Sequence, residues 1–212
     1  DAGLTSITLP QSTSFKELDV EGNNFTEFDL SKYPYLTIAS LSNNKLTSID
    51  FSNNPNLQVA SASYNQLTDI TLNNNNLWAL YLDKNNFSEI DLSGAPNITQ
   101  LSLANNRLES INVDVENVRY FSLNNCLIER KSKKIILGCI NSVIPDDGSV
   151  TKIDGMAFSH LNTLEKIIQD IKHQYGGMNN IKSIVVNANG ALIVNQIAYK
   201  PKFSSEFVTS LG

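Results

Sequence analysis

Apolar residues along the first 128 positions follow one template that returns every 20 or 21 residues. Each copy reads L-x-x-L-x-L-x-x-N-x-L, so a short alternating stretch leads to an asparagine. The asparagines that mark five copies are Asn23, Asn44, Asn65, Asn85 and Asn106. A sixth copy runs from Val118 to Ile128 and carries Cys126 at the asparagine position. A fixed period of this length is typical of a solenoid in which each copy forms one coil.

The alternation inside the template predicts a short strand in every coil, with its leucines pointing inward and neighbouring coils pairing in parallel. After the strand the backbone turns, and buried amide and carbonyl groups lose their ladder partners. An asparagine side chain supplies both a donor and an acceptor for such groups. We therefore predict an inward-facing ladder of the five template asparagines, in which Cys126 fills the last slot as a small residue with a weak S–H donor.

A second alternating segment follows the template in each copy and begins at residues 28, 49, 70, 90 and 111. No long helical pattern separates the two segments, so both sides of each coil are expected to be extended or turn-like. The run Asn73–Asn76 falls in the turn before the next copy, where asparagine tolerates left-handed backbone angles. Ile7 and Leu9 fit the second segment as well. The chain thus opens partway through a repeat, and we expect a capping segment upstream of Asp1.

The outward strand positions should form columns on the concave face of the parallel sheet. Serine is frequent in them, but an apolar and aromatic strip also runs through them, with an acidic end. The candidate ligand-binding residues are Ile38, Val59, Tyr81 and Tyr120 in the strip, Glu17, Asp19 and Glu21 at the acidic end, and Asp83. Two interpretations stay open. The columns can be plain sheet surface with a few exposed apolar groups, or a recognition surface, because aromatics among small polar residues are typical of binding sites.

The repeats, above all SNNKLTSIDFSNNPNL, resemble the short leucine-rich repeats of secreted and cell-surface proteins of Bacteroidetes-type bacteria. The resemblance covers residues 4 to about 128, with five complete copies at almost fixed spacing. It implies a leucine-rich-repeat solenoid that is mostly β, with parallel strands on the concave face and few helices. Such a fold is a scaffold for binding and implies no particular chemistry.

The composition changes after the sixth copy, so we predict two domains, residues 1–128 and residues 129–212. LIERKSKKIIL predicts a hairpin. The following residues Ile144, Pro145, Val150, Ile153, Gly155, Ala157, Phe158 and Leu164 resemble one BspA-like (Treponema pallidum-type) leucine-rich repeat. The chain departs from that pattern at Asp154 and at His160-Leu161. Helical spacing from Leu161 to Tyr175 and an Asn189-Gly190 hairpin signal complete a small predicted α+β cap.

Charge and residue chemistry narrow the function further. With 16 Lys and Arg against 21 Asp and Glu, the net charge of −5 supplies no basic field, so nucleic acid is not an expected partner. No apolar run is long enough to span a bilayer, which leaves a lipid anchor, if one exists, outside this chain. Cys139 with His160 or His173 lacks an orienting third group, and Asp146-Asp147-Gly148 fails the spacing of a calcium loop. We expect no catalysis, no cofactor and no metal.

These observations predict a non-catalytic, extracytoplasmic recognition module that binds a protein or glycan through its concave face. The alternative is a structural spacer or stalk within a larger surface protein. The resemblance places either one in the extracellular space or on the surface of a bacterial cell. Cys126 and Cys139 should be offset across the hairpin, so we predict two free, buried thiols.

Overall fold

The computed structural model describes residues 2–10, 15–139, 141–143, 145, 147–154 and 157–158, and the strands at 184–186, 192–194 and 197–198. The chain forms two compact units, residues 1–121 and residues 122–212. The first unit ends earlier than the boundary predicted after residue 128.

The first unit is a parallel-strand solenoid, and the predicted leucine-rich-repeat fold is confirmed. One side of the coils forms a five-stranded sheet, here the long sheet, from β1 (Glu17–Asp19), β2 (Ile38–Ser40), β4 (Val59–Ser61), β6 (Ala79–Tyr81) and β8 (Gln100–Ser102). The other side carries β3 (Ser48–Asp50), β5 (Asp69–Thr71), β7 (Glu89–Asp91) and β9 (Ser110–Asn112), paired β3–β5 and β7–β9. All these pairs are parallel. Among the described residues, one 3₁₀ segment at Leu30–Lys32 is the helical element.

The inward template positions make the core. The middle residue of a long-sheet strand is buried in coil after coil, as at Leu18, Ala39 and Leu80. Burial of a leucine or phenylalanine side chain contributes roughly 1.5–3 kcal/mol each, and the unit repeats such burial in every coil. Tight coil stacking also fixes Gly94, because a Cβ there would lie 2.1 Å from the carbonyl oxygen of Leu72.

Aspartates close the turns that follow the second-side strands. The Oδ1 atom of Asp50 accepts a hydrogen bond from the backbone N–H of Ser52 at 2.8 Å, and Asp91 does the same with Ser93 at 2.9 Å. The bond from the Ser93 N–H favours the charged carboxylate and so lowers the pKa of Asp91. These turns explain the recurring D-x-S in the second segment.

The sixth copy departs from the predicted register. Val118 was expected inside, but its side chain is 71% exposed, while Asn117 and Tyr120 are buried. Asn117 turns inward because its side chain satisfies three backbone groups: it donates to the Ile98 carbonyl at 3.1 Å and accepts from the amides of Arg119 and Tyr120 at 2.9 and 2.7 Å. The prediction for Val118 was therefore wrong.

The second unit contains a mixed sheet of β10 (Tyr120–Leu123), which begins in the first unit, β11 (Cys126–Glu129), β12 (Lys134–Gly138) and β13 (Lys152–Ile153), in that order. β11 and β12 pair antiparallel with a bulge after Leu127, so the hairpin predicted from LIERKSKKIIL is present. β12 and β13 pair in parallel. Ala157 and Phe158 are buried, and Phe158 packs so closely on Gly138 that a Cβ there would lie 1.8 Å from its ring.

A separate three-stranded antiparallel sheet consists of β14 (Ile184–Val186), β15 (Leu192–Val194) and β16 (Ile197–Ala198). The two strands expected around Asn189-Gly190 thus pair antiparallel, with Ile184 opposite Val194. The turn itself lies outside the described residues. So do the helix predicted from Leu161 to Tyr175, both histidines, and Ile144, Asp146 and Gly155 of the BspA-like segment.

Candidate functional site

The strand register places the outward residues of the long sheet in straight rows. One row contains Glu17, Ile38, Val59, Ala79 and Gln100, and the next contains Asp19, Ser40, Ser61, Tyr81 and Ser102. These rows are the first five members of the columns derived from the sequence. We call this surface, which the sequence predicts to be the concave face, the long-sheet face.

The candidate residues on the long-sheet face differ in exposure. Glu17, Asp19 and Glu21 are exposed at the first coil, while Ile38, Val59 and Tyr81 are half-buried. The hydroxyl of Tyr81 donates to Oε1 of Gln100 at 2.8 Å, which holds the ring against the next coil. The face therefore combines an acidic end with apolar and aromatic groups.

Tyr120 does not belong to this face. Its side chain is only 5% exposed, and its hydroxyl donates to the carbonyl oxygen of Thr99 at 3.1 Å. The expectation that Tyr120 faces solvent was therefore wrong. The physical reason is the inward turn of Asn117, which brings the following tyrosine into the interior.

Asp83 helps to build the face. Its Oδ1 accepts from the backbone N–H of Ala104 at 2.8 Å and from the hydroxyl of Ser102 at 2.5 Å. Its own N–H donates to the hydroxyl oxygen of Ser63 at 3.1 Å, and the N–H of Ser63 donates to that of Ser42 at 3.2 Å. This network ties the third outward row together across neighbouring coils, so the surface is preformed.

A row of left-handed residues borders the face. Each coil has one residue with positive φ immediately before its ladder position: Gly22, Asn43, Tyr64, Lys84 and Asn105. A bulky side chain in this conformation is uncommon and costs about 1–2 kcal/mol. Tyr64 is nevertheless 49% exposed there, with Nζ of Lys84 4.5 Å from its ring centroid.

Sequence reasoning missed Tyr64 and Lys84 as site residues. It placed left-handed angles within Asn73–Asn76, where no residue has positive φ, so that expectation was wrong. The sequence position that could have indicated the left-handed residues is the one immediately before each ladder asparagine. That position holds glycine or asparagine in three coils but Tyr64 and Lys84 in the other two.

The template asparagines lie inside the turns and satisfy backbone groups. Asn65 donates from Nδ2 to the carbonyls of Leu41, Ala62 and Ser63 at 3.0, 3.1 and 3.3 Å, and its Oδ1 accepts from the Leu46 amide at 3.0 Å. Asn44, Asn85 and Asn106 make equivalent contacts. Asn23 accepts from the amides of Ala2 and Leu4 in the first partial coil and donates to the carbonyls of Val20 and Glu21.

Besides the ladder, two interior asparagines, Asn54 and Asn74, occupy the turn on the opposite side of the coils. Asn54 donates to the carbonyls of Leu30 and Tyr33, and Asn74 donates to those of Phe51 and Asn54, each at 2.9 or 3.0 Å. Both side chains are fully buried. The run Asn73–Asn76 was predicted as turn chemistry in general, so the interior role of Asn74 is a feature that only the structure supplies.

Both cysteines are buried and free, as predicted. The Sγ atom of Cys126 lies 3.8 Å from the Val143 carbonyl oxygen, and that of Cys139 lies 3.5 Å from the Asn125 carbonyl oxygen. Burial raises the pKa of Cys126 to about 11, so this thiol stays neutral and unreactive at physiological pH.

Within the described part of the chain, no three His, Cys, Asp or Glu side chains form a group that could hold a metal ion. The same residues include no helix long and apolar enough to cross a bilayer.

No family model matches this chain, and no curated protein matches it. Among solved structures, a chain of the Drosophila Toll–Spatzle complex is 26% identical over 47% of this chain and 16% of its own length, with a TM-score of 0.39. The functional domain of InlJ from Listeria monocytogenes, which includes a cysteine ladder, is 24% identical over 51% of this chain and 29% of its own, with a TM-score of 0.42. Each match thus spans less than a third of the Toll-complex chain or of the InlJ domain. The fold assignment rests on the repeat, the strand register and the asparagine ladder described above.

Proposed function

We propose that the solenoid is a non-catalytic recognition module that binds a protein partner through the long-sheet face. The observation that carries the proposal is the register that sets half-buried Ile38, Val59 and Tyr81 in adjoining rows on one sheet surface. Aromatic and aliphatic groups that are partly exposed on a preformed surface are the usual anchors of a protein interface.

Two tyrosines are the proposed anchors. Tyr81 is held by its hydrogen bond to Gln100, and Tyr64 lies under the ammonium group of Lys84. Side chains that are already ordered lose little conformational entropy when a partner arrives. The strained backbone of Tyr64 supports a role in binding, since strain that the fold tolerates in an exposed side chain often marks a functional residue.

Charge favours a cationic partner. Residues 1–121 contain 14 Asp and Glu but only 6 Lys and Arg, a net charge of −8. Glu17, Asp19 and Glu21 concentrate part of this charge at one end of the face. A basic segment of a partner protein would be attracted there, mainly through a faster association rate that falls as salt increases.

The experiment is a selection of displayed random peptides and proteins against the intact chain, followed by affinity measurement for the recovered binders. Changing Tyr64 and Tyr81 together to alanine should weaken binding at least tenfold, and changing Glu17, Asp19 and Glu21 to glutamine should reduce its salt dependence. Tyr35→Ala is the matched control, because Tyr35 is 45% exposed and lies off the long-sheet face. Binders with the same affinity for the parent and for the double variant would refute the proposal.

The runner-up function is a rigid spacer, and the two sets of interior asparagines favour it. They tie each coil to the next through buried hydrogen bonds on both turns, as at Asn65 and Asn74. A spacer needs stiffness and no ligand. Two results would favour this function. The selection would recover no binder, and a domain fused to the solenoid would still be displayed normally when the long-sheet face is altered.

For the location, we propose secretion or display on a bacterial surface, supported by the resemblance of the repeats to proteins of that kind. Protease treatment of intact cells that express the native gene, followed by detection of the solenoid, tests this. Protection of the solenoid in intact cells would contradict it.

A further inference from the structure

We propose a second binding site, for a neutral oligosaccharide, in a groove along the edge of the solenoid. This edge groove is lined by Lys16, Tyr35, Thr37, Asn56, Gln58 and Asn76 and has a volume of about 470 Å³. Trp78 extends the same edge at the next coil. The site is separate from the long-sheet face and does not depend on the function proposed for it.

The groove is built from two stacked rows that precede the long-sheet strands. In one row the backbone N–H of Thr37 donates to the carbonyl of Lys16 at 2.7 Å, that of Gln58 to Thr37 at 2.8 Å, and that of Trp78 to Gln58 at 3.0 Å. The second row, two positions earlier in each coil, contains Tyr35, Asn56 and Asn76. Neighbouring coils lie about 4.8 Å apart, so Tyr35 and Trp78 are separated by roughly 10 Å along the solenoid axis, which suits a short oligosaccharide better than a single sugar.

Two aromatic side chains supply flat surfaces at this edge. Tyr35 is 45% exposed and Trp78 is 40% exposed. An aromatic face offers a large apolar area beside a polar N–H or O–H group. The C–H faces of sugar rings complement such surfaces, while their hydroxyl groups need polar partners at the rim.

The polar groups of the groove match hydroxyl groups. The side chains of Asn56 and Gln58 make no hydrogen bond within the described part of the chain, and Asn76 uses Nδ2 to bind the Pro55 carbonyl at 2.9 Å, which leaves its Oδ1 as an acceptor. An amide both donates and accepts, as a sugar hydroxyl does, whereas a carboxylate only accepts. No Asp or Glu lines the groove, although 14 occur in residues 1–121. Lys16 is the one charged side chain of the lining, beside the three amides of Asn56, Gln58 and Asn76. The lining thus offers mainly uncharged hydrogen-bonding groups, which favours a neutral ligand.

The backbone disfavours an extended peptide in the groove. The N–H groups of Thr37, Gln58 and Trp78 and the carbonyls of Lys16, Thr37 and Gln58 are already paired between coils. A peptide that adds as a strand needs free backbone groups, and these six groups are already used between coils. In this row a ligand is therefore recognised through side chains, which again fits an oligosaccharide.

Trp78 is the single tryptophan of the chain and pairs with Gln58 at the end of the groove, so its fluorescence reports on a ligand that reaches this end. The experiment titrates the intact chain with a panel of neutral oligosaccharides from glucans, mannans and xylans, and with acidic oligosaccharides for comparison. We expect a saturable change in emission with at least one neutral member. Calorimetry should then show binding weakened at least tenfold by Trp78→Ala and by Tyr35→Ala, and less by Trp78→Phe.

The controls keep this test apart from that of the long-sheet face. Changing Tyr64 and Tyr81 to alanine should leave oligosaccharide affinity unchanged, and thermal unfolding should show that Trp78→Ala and Tyr35→Ala retain the fold. Absence of binding by the whole neutral panel at millimolar concentration, binding of acidic members alone, or affinity that is indifferent to both aromatic variants would each overturn the proposal.

Discussion

Replacing Asn65 with alanine removes the centre of the interior ladder from a coil that has neighbours on both sides. The side chain makes four hydrogen bonds, to the carbonyls of Leu41, Ala62 and Ser63 and from the amide of Leu46. Alanine keeps the backbone but supplies none of these contacts. The variant therefore measures how much the ladder stabilises the fold.

The expected loss of unfolding free energy depends on the hydrogen bonds that each backbone partner of Asn65 keeps in the variant. The three carbonyls keep one partner each: Leu41 retains the Asn44 side chain, Ala62 retains that of Asn85, and Ser63 retains the amide of Asn43. The Leu46 amide loses the partner it has in Asn65 and gains none. An unpaired buried amide costs about 1–3 kcal/mol, and weakened carbonyl bonds add less. We expect the free energy of unfolding to fall by about 2–4 kcal/mol.

Urea unfolding followed by far-ultraviolet circular dichroism measures this change. Asn53→Ala is the matched control, because Asn53 is exposed in the outer turn and its side chain makes no hydrogen bond among the described residues. Its unfolding free energy should stay within about 0.5 kcal/mol of the parent. Equal midpoints for the Asn65 and Asn53 variants would refute the reasoning.

Four further predictions concern interior side chains. Asn74→Ala should lower unfolding stability by about 1–3 kcal/mol through its two lost carbonyl contacts, while exposed Asn75→Ala changes it little in the same urea assay. Tyr120→Ala should cost about 3–5 kcal/mol as a buried large-to-small change, and a loss no greater than that of half-buried Tyr81→Ala would contradict the interior placement. Burial raises the pKa of Cys126 to about 11, above that of a free thiol, so the stability linked to this group is fully present below the free-thiol pKa and should be lost as pH rises to about 11. Alkylation under denaturing, non-reducing conditions should label both thiols, and mass analysis that finds no label would disprove the free state.

The candidate site could be read from the sequence only as far as strand alternation reaches. The rows that hold Ile38, Val59 and Tyr81 follow from the period of two along a strand and the fixed spacing between copies. Tyr120 could not be placed that way, since its direction depends on Asn117 turning inward to pair three backbone groups. Tyr64 was not predicted as a site residue, because its left-handed backbone conformation is set by the turn that follows the strand and not by the alternation within it.

The sequence by itself determined the solenoid, because a template repeated every 20 or 21 residues allows one coil per copy and one parallel register between coils. It also determined that most template leucines lie inside, as Leu41, Leu57 and Leu80 do. The tertiary structure decided which asparagines become interior partners, as Asn74 did within a run of four identical residues, and where the sixth copy leaves the pattern. Those outcomes depend on matching buried donors and acceptors between coils about 20 residues apart, and local periodicity carries no record of that matching.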